Sequence, residues 1–149
     1  EYNNLYRLGN ELYHNVAVRM GLSDSAFWIL YTLREEGRPL SATDLGGALF
    51  LSKQTIHSGV RSLEERGLLK LRSSSEDKRN KEICLTEKGE AFSQESVDQV
   101  VAFEEKAFLD LGAGERLSRI QAERHYLDAL WEAARPLFKR EGPEGIWQR

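Results

Sequence analysis

Cysteine is nearly absent from this chain, because Cys84 is the only one among 149 residues. An internal disulfide is therefore excluded, which fits a reducing compartment, and we expect a cytoplasmic protein. The sequence also lacks any apolar run of about 18 residues, the length that crosses a membrane as a helix. Hydrophobic residues still make up 40% of the chain, enough for the core of one domain or of a small domain with an accessory element.

Signatures of catalysis and of metal binding are missing as well. The sequence contains no glycine-rich phosphate loop and no nucleophile elbow, and its carboxylates fall mostly on predicted solvent-facing sides of helices. The three histidines, His14, His57 and His125, lie on different predicted helices and have no metal-ligand spacing. We therefore predict a protein that is not an enzyme and that holds neither a cofactor nor a metal ion.

Basic and acidic residues are unevenly distributed along the chain, whose net charge is −3. Residues 53–88 contain nine Lys and Arg against six Asp and Glu, whereas the remainder is acidic. A basic segment within an acidic chain is typical of a DNA-contacting module on an acidic scaffold. A solvated charged face without a partner would give the same contrast, so the charge pattern alone leaves both readings open.

Apolar periodicity and capping residues predict a mainly helical chain with one β-hairpin. The first predicted helix covers residues 3–20, and the fourth runs from its cap to about residue 66. The predicted N-caps of the second to fifth helices are Ser23, Ser41, Ser52 and Thr86. Two strands around a polar turn at 73–80 form the hairpin. Two long helices follow it, one to about residue 111 and one from about 115 to 135.

The fourth predicted helix has two contrasting sides. Ile56, Val60 and Leu63 form its apolar side. The other side carries the polar residues Gln54, Thr55, His57, Ser58, Arg61 and Ser62. Such side chains hydrogen-bond to base edges and phosphates, although an ordinary solvent-facing side would also be polar. The order helix, helix, strand, loop, strand predicts a winged helix-turn-helix.

Two segments, LSKQTIHSGVRSLEERGLL (51–69) and DKRNKEICLTEKG (77–89), resemble the MarR (multiple antibiotic resistance regulator) family of bacterial transcription factors. The shared pattern has a Ser-capped recognition helix, Leu-Glu and Gly-Leu at its exit, an Asp-x-Arg wing, and Leu-Thr-x-x-Gly at the start of the next helix. Here these positions are Ser52, Thr55, Leu63, Glu64, Gly67, Leu68, Asp77, Arg79, Leu85, Thr86 and Gly89. The order of elements matches over nearly the whole chain.

The resemblance implies a mainly α fold with a small β-hairpin wing, flanked by N- and C-terminal dimerisation helices. We expect the winged helix-turn-helix DNA-binding domain at 23–86, the helical dimerisation region at 1–22 and 87–138, and a tail at 139–149. The apolar sides of the terminal helices need a surface to cover them. A second copy related by a two-fold axis would provide it, and packing back onto the chain's own winged domain is the alternative.

By the same resemblance, the fourth helix would lie in the major groove of double-stranded DNA and the wing in the minor groove. The expected helix contacts are Ser52, Gln54, Thr55, Ser58 and Arg61, with His57 beside them. Arg79 would enter the minor groove, where negative potential is concentrated, and Asp77 would help to hold it. The expected phosphate contacts are Lys53, Lys78 and Lys81. Two copies would then read a pseudo-palindrome with half-sites about one helical turn apart.

Aromatic residues on the first two helices are a candidate ligand site. They are Tyr6, Tyr13, Phe27, Trp28 and Tyr31. The family often binds small aromatic or phenolic compounds in this region, and such a ligand would favour a dimer with wrongly spaced recognition helices. Core and dimer packing would explain the same aromatic residues equally well.

These observations together predict a homodimeric, sequence-specific DNA-binding regulator of transcription, in the form of a repressor that a small molecule releases from DNA. One alternative is a winged-helix ligand sensor or interaction module that acts through a protein partner without specific DNA binding. A structural dimer without a regulatory role is a further alternative. The sequence does not identify the operator or the ligand.

Overall fold

A computed structural model describes residues 1–73 and 81–137, which form a mainly helical chain with a small antiparallel sheet. Its elements are α1 (Tyr2–Arg19), α2 (Asp24–Glu36), β1 (Leu40–Ser41), α3 (Ala42–Leu49), α4 (Lys53–Glu65), β2 (Leu69–Ser73), β3 (Lys81–Leu85), α5 (Glu87–Glu95), α6 (Val97–Leu109), α7 (Ala113–Ala134) and a short 3-10 helix (Arg135–Leu137). The predicted fold class is confirmed. The chain divides into two compact units, whose boundary falls within α6 after Ala102. Across the described ranges, no helix is long and apolar enough to cross a membrane.

The predicted helix caps are confirmed by hydrogen bonds. The side-chain oxygens of Ser23, Ser41, Ser52 and Thr86 each accept a hydrogen bond from the backbone N–H three residues further on. Asp44 completes a capping box, because its carboxylate accepts the N–H of Ser41 at 2.9 Å. Each cap satisfies an N–H group that has no carbonyl partner within the helix. The local sequence therefore decides where these helices begin.

Of the two long helices that we predicted after the hairpin, the first is wrong, because the structure has two shorter helices over the stretch up to residue 111. α5 ends at Glu95 and α6 begins at Val97, with Ser96 in a non-helical conformation between them. The Ser96 hydroxyl donates a hydrogen bond to the carbonyl of Phe92, four residues earlier. A side chain that competes for this carbonyl bends or interrupts a helix.

The sheet has a third strand, β1, which overlaps a short extended piece that we predicted at 38–40 but whose pairing the sequence did not reveal. β1 pairs antiparallel with β3, so the strand order is β1-β3-β2. Ile83 in β3 lies opposite Leu40 on one side and Leu71 on the other. Because β1 leads directly into α3, this pairing fixes the base of the wing to the helix-turn-helix.

The core of the first unit forms where α2 packs against α4 and where the sheet contributes its inner side chains. Its largest fully buried side chains include Phe27, Ile29, Leu30, Leu33, Leu45, Ile56, Leu63, Leu68 and Ile83. Gly59 permits a close approach of α4 to α2, because a Cβ atom there would lie 2.6 Å from Cδ1 of Ile29. This packing determines which side of α4 faces the core and hence which side faces solvent.

The Leu-Thr-x-x-Gly segment connects the wing to α5. The Thr86 hydroxyl donates to the carbonyl of Gly67 at 2.7 Å and accepts from the N–H of Gly89 at 3.0 Å. A Cβ atom at Gly89 would lie 2.0 Å from the carbonyl oxygen of Leu68, so glycine alone fits this position. The motif therefore holds together the exit of α4, the base of the wing and the start of α5.

Candidate nucleic-acid interface

The polar side of α4 faces solvent. The residues Ser52, Lys53, Gln54, His57, Ser58 and Arg61 are exposed, and Thr55 is partly buried. Ile56, Val60 and Leu63 are buried on the opposite side. Positions separated by three or four residues lie on one side of a helix. The structure thus gathers the predicted helix contacts on one surface, and their role in DNA contact stays a prediction.

The first turn of α4 differs in charge from those of most other helices. α2, α3, α5 and α7 each carry an acidic residue in the first turn, whereas α4 has none and begins with Lys53. Acidic side chains stabilise the positive end of a helix, so α4 forgoes this stabilisation. Its N-terminus, where Ser52 Oγ lies 2.8 Å from Thr55 Oγ1, is open to an anionic partner.

Arg61 is paired with a residue that the sequence reasoning overlooked. Its Nε atom donates to Oε1 of Glu65 at 2.9 Å, and the two side chains are 80% and 65% exposed. An exposed pair four residues apart on a helix contributes only about 0.3–0.5 kcal/mol. Arg61 can therefore leave Glu65 for a stronger acceptor. The spacing of four residues was the available signal.

The structure describes the base of the wing but not its tip. β2 and β3 pair from Leu69 opposite Leu85 to Ser73 opposite Lys81, and Lys81 is exposed. Near the base, Arg72 Nε donates to Glu82 at 2.8 Å, and this hydrogen bond raises the pKa of Arg72. The other predicted wing contacts, Asp77, Lys78 and Arg79, lie outside the described residues, so they stay predictions.

Two cationic side chains of the basic segment bind backbone carbonyls of the fold and do not belong to the exposed side of α4. Arg66 donates to the carbonyls of Gly21 at 2.9 Å and Met20 at 3.3 Å, and its guanidinium lies 5.4 Å from the ring centre of Phe92. Lys88 Nζ donates to the carbonyl of Arg66 at 2.7 Å. Cations at helix C-termini stabilise the last carbonyls. A charge count along the sequence therefore overstates the charge available to a partner.

A cluster of three charged residues ties α2 to α5 and α6. Arg34 donates to Asp98 through Nε at 2.9 Å and Nη2 at 2.8 Å, and to Glu90 through Nη1 at 2.8 Å. The hydrogen bonds to Asp98 raise the pKa of Arg34, and the same bonds lower the pKa of Asp98. Because α2 packs on α4, this cluster helps to fix the helix that supports the candidate interface. Sequence reasoning missed it.

Four of the five candidate ligand residues form one aromatic cluster. The ring of Trp28 lies 5.0 Å from that of Tyr13, 4.9 Å from that of Phe27 and 5.5 Å from that of Tyr31. Phe27 is fully buried, which favours a packing role for the cluster. Tyr6 is 65% exposed and lies about 10 Å further along α1, so it does not join the cluster. A ligand at these residues stays a prediction.

No group of three or more His, Cys, Asp or Glu side chains in 1–73 and 81–137 could hold a metal ion. His14 instead pairs through Nδ1 with Oδ1 of Asp24 at 2.9 Å. Cys84 is a free thiol, buried in β3.

Comparison with known proteins shows which family this chain resembles. A family model described as MarR family matches residues 20–80. The solved structure of NMB1585, a MarR family regulator from Neisseria meningitidis, is 25% identical to this chain, with a TM-score of 0.70. The match covers 89% of this chain and 92% of that one. This chain is similar to MarR family proteins, in its sequence over residues 20–80 and in its fold over most of its length. The resemblance predicted from the sequence is thereby confirmed, together with the winged-helix fold.

Two further similar proteins bear on the function of this chain. YwoH of Bacillus subtilis, an uncharacterized HTH-type transcriptional regulator, is 32% identical over 90 residues. That match spans 60% of this chain and 64% of YwoH, less than two thirds of the relative's length. AbfR, whose structure was solved in the reduced form bound to DNA, is 27% identical with a TM-score of 0.62. The match with AbfR covers 87% of this chain and 88% of that one.

Proposed function

We propose that this protein is a sequence-specific DNA-binding regulator of transcription that works as a homodimer on a pseudo-palindromic operator. The observation that carries the proposal is the exposed polar face of α4, whose N-terminal turn is capped and has no carboxylate. In helix-turn-helix proteins, this end of the recognition helix contacts base edges in the major groove. The DNA-bound structure of AbfR supports the same use of the fold.

The residues of α4 would divide into those that position the protein and those that read the sequence. Ser52 and Lys53, at the open N-terminus of the helix, would contact phosphates. Gln54, Thr55, His57, Ser58 and Arg61 would contact base edges, after Arg61 has left Glu65. At the wing, Arg79 would enter the minor groove with the help of Asp77, and Lys78 and Lys81 would bind phosphates.

The terminal helices would supply the dimer interface. Leu5, Leu8 and Leu12 on α1 are 62%, 53% and 50% exposed. On α7, Leu117, Ile120 and Leu130 are 57%, 47% and 49% exposed. Monomeric proteins rarely leave so many large apolar side chains in solvent, and a second copy is the simplest cover for them. A two-fold dimer would place two α4 helices for two half-sites.

A small aromatic ligand would act through the cluster of Tyr13, Phe27, Trp28 and Tyr31. This cluster joins α1, part of the proposed dimer interface, to α2, which packs on α4. A compound that inserted between these rings would change how α1 sits on α2 and hence the spacing of the two α4 helices. It would favour the dimer with lower DNA affinity, and the protein would act as a repressor released by that compound.

The decisive experiment measures binding to the DNA just upstream of the protein's own coding region, with random DNA of equal length as the competitor. At low and at physiological salt, we expect a clear preference for the upstream DNA. We also expect a steep loss of affinity with salt, because each neutralised phosphate releases counterions. Equal binding to both DNAs would contradict the proposal and favour a winged-helix sensor that acts through a protein partner.

A further inference from the structure

Phe50, in the turn between α3 and α4, has an unfavourable backbone conformation. Its φ and ψ angles are 53° and 32°, in the left-handed region. Within the described part of the chain, it is the only residue other than glycine with a positive φ. Glycine adopts this conformation without penalty, whereas a bulky side chain there is rare. A turn selected for stability alone would carry glycine or asparagine at this position.

The side chain of Phe50 is unfavourably placed as well. It is 74% exposed, more than any other large apolar residue described in the first unit. Its neighbours Leu49 and Leu51 both pack against the core, so the path of the chain turns Phe50 outward. A residue whose backbone conformation and side-chain exposure are both unfavourable is a candidate for a functional contact.

The position of Phe50 identifies the surface that it serves. It lies two residues before Ser52, the N-cap of α4, and two residues of chain span at most about 7 Å. Phe50 is therefore next to Lys53 and Gln54, at the end of α4 that we propose to enter the major groove. The other large exposed apolar residues of the first unit lie on α1, apart from Leu71 in β2.

A phenyl ring neither hydrogen-bonds to base edges nor neutralises phosphates. The apolar group that DNA exposes in the major groove is the C5 methyl group of thymine. We propose that Phe50 contacts a thymine methyl group in each half-site and so contributes to operator specificity. This inference rests on the proposed function, and it adds a residue outside α4 to the reading surface.

The test combines two substitutions with one change in the DNA. Phe50→Gly and Phe50→Asn both tolerate the left-handed turn, so we expect thermal stability equal to or above that of the wild type. The upstream DNA is amplified once with thymidine and once with deoxyuridine triphosphate, which removes only the C5 methyl groups. Wild-type affinity should fall about fourfold per methyl group contacted, hence roughly 15-fold for a dimer with two half-sites.

Both variants should bind thymine-containing DNA about as weakly as the wild type binds uracil-containing DNA, and they should not distinguish the two. Variants that bind as tightly as the wild type would overturn the inference. Weaker variants that keep the full uracil penalty would show that the penalty comes from DNA shape, and would overturn it too. If the wild type fails to prefer the upstream DNA over random DNA, the proposed function falls together with this inference. If only the variants behave contrary to expectation, the Phe50 contact alone falls.

Discussion

The winged segment and the terminal helices leave different kinds of surface uncovered. The segment from α2 to α5 buries most of its large apolar side chains, with Phe50 and Leu71 as exposed exceptions, and exposes the polar side of α4. By contrast, α7 buries none of its residues fully and α1 buries only Ala17, although both are rich in leucine. A polar, partly cationic surface suits an anionic partner, whereas an apolar surface suits another apolar surface. The contrast supports the two partners that we propose, namely DNA for α4 and a second copy of the chain for α1 and α7.

The largest predicted effect comes from a substitution on the apolar side of α7. Ile120→Asp should dissociate the dimer, because each copy would lose about 2 kcal/mol of apolar burial and gain a charge that the interface must desolvate. With two copies affected, the dimer dissociation constant should rise about 1,000-fold or more. Sedimentation equilibrium would measure the change, and operator binding should weaken with it.

Ser118→Asp is the matched control, because Ser118 is a polar, exposed residue two positions before Ile120, roughly on the opposite side of α7. It adds the same charge to α7 and should leave the dimer intact. If Ile120→Asp remains a dimer of wild-type affinity, α7 is not the interface. A second copy of the chain would then not explain the exposed apolar residues of α7.

A pair of glycine substitutions tests whether the winged segment is the more tightly packed part. A Cβ atom at Gly89 would lie 2.0 Å from the carbonyl oxygen of Leu68, so Gly89→Ala should lower the unfolding free energy by about 3 kcal/mol. Gly114 in α7 has no atom within 4 Å of such a Cβ. Gly114→Ala should therefore raise the stability of that helix by about 0.5–1 kcal/mol. Urea unfolding followed by circular dichroism should show changes of opposite sign in the free energy of unfolding. Changes of equal sign and size would contradict the tighter packing of the winged segment.

Features that depend on a few neighbouring residues were predictable from the sequence. The cap at Ser52 needs only an N–H group three residues away, and the turn at Gly67 needs only a residue without Cβ. Contacts between distant segments were not predictable. Arg34 meets Asp98 across 64 residues, and β1 meets β3 across more than 40, so neither partner is marked by local spacing.

In the candidate site, too, local features were predictable from the sequence and contacts between distant segments were not. Periodicity was enough to separate the polar side of α4 from Ile56 and Val60 on its buried side. It did not reveal that Arg66 caps the end of α1, because that role depends on where the fold brings Gly21. Nor did it indicate the exposure of Phe50, since an apolar residue between two core leucines reads as part of the core.

The ion cluster behind α4 gives a smaller effect with a characteristic pH dependence. Hydrogen bonds from Arg34 hold the pKa of Asp98 below its unfolded value of about 3.9. The stabilisation is therefore complete above about pH 4 and is lost as the pH falls through the folded pKa. Asp98→Asn should lower the unfolding free energy at pH 7 by about 1 kcal/mol, a modest value because the Asp98 side chain is 44% exposed.

Urea unfolding at pH 7, 5 and 3 would measure this dependence. The difference between the wild type and Asp98→Asn should be the same at pH 7 and pH 5 and should narrow at pH 3. Asp110→Asn, at an exposed position just after α6, should show almost no difference at any of the three values. A difference for Asp98→Asn that does not change with pH would mean that its charge has no part in the stabilisation.

The smallest predicted effect concerns the exposed polar side of α4. Glu65 holds Arg61 in the free protein, so Glu65→Gln should release Arg61 and raise DNA affinity roughly twofold. Fluorescence anisotropy with a labelled operator fragment at low salt would resolve this change.

Charge repulsion from DNA phosphates could produce the same increase without involving Arg61, and Glu64→Gln controls for it at the adjacent exposed position. The two causes separate when each substitution is combined with Arg61→Ala. Without Arg61, the gain from Glu65→Gln should shrink to that of Glu64→Gln, because only the general repulsion is left to relieve. If the gain from Glu65→Gln is undiminished in that background, the pair with Arg61 does not compete with DNA. The exposed face of α4 would then interact with DNA through its overall charge, not through the release of a particular side chain.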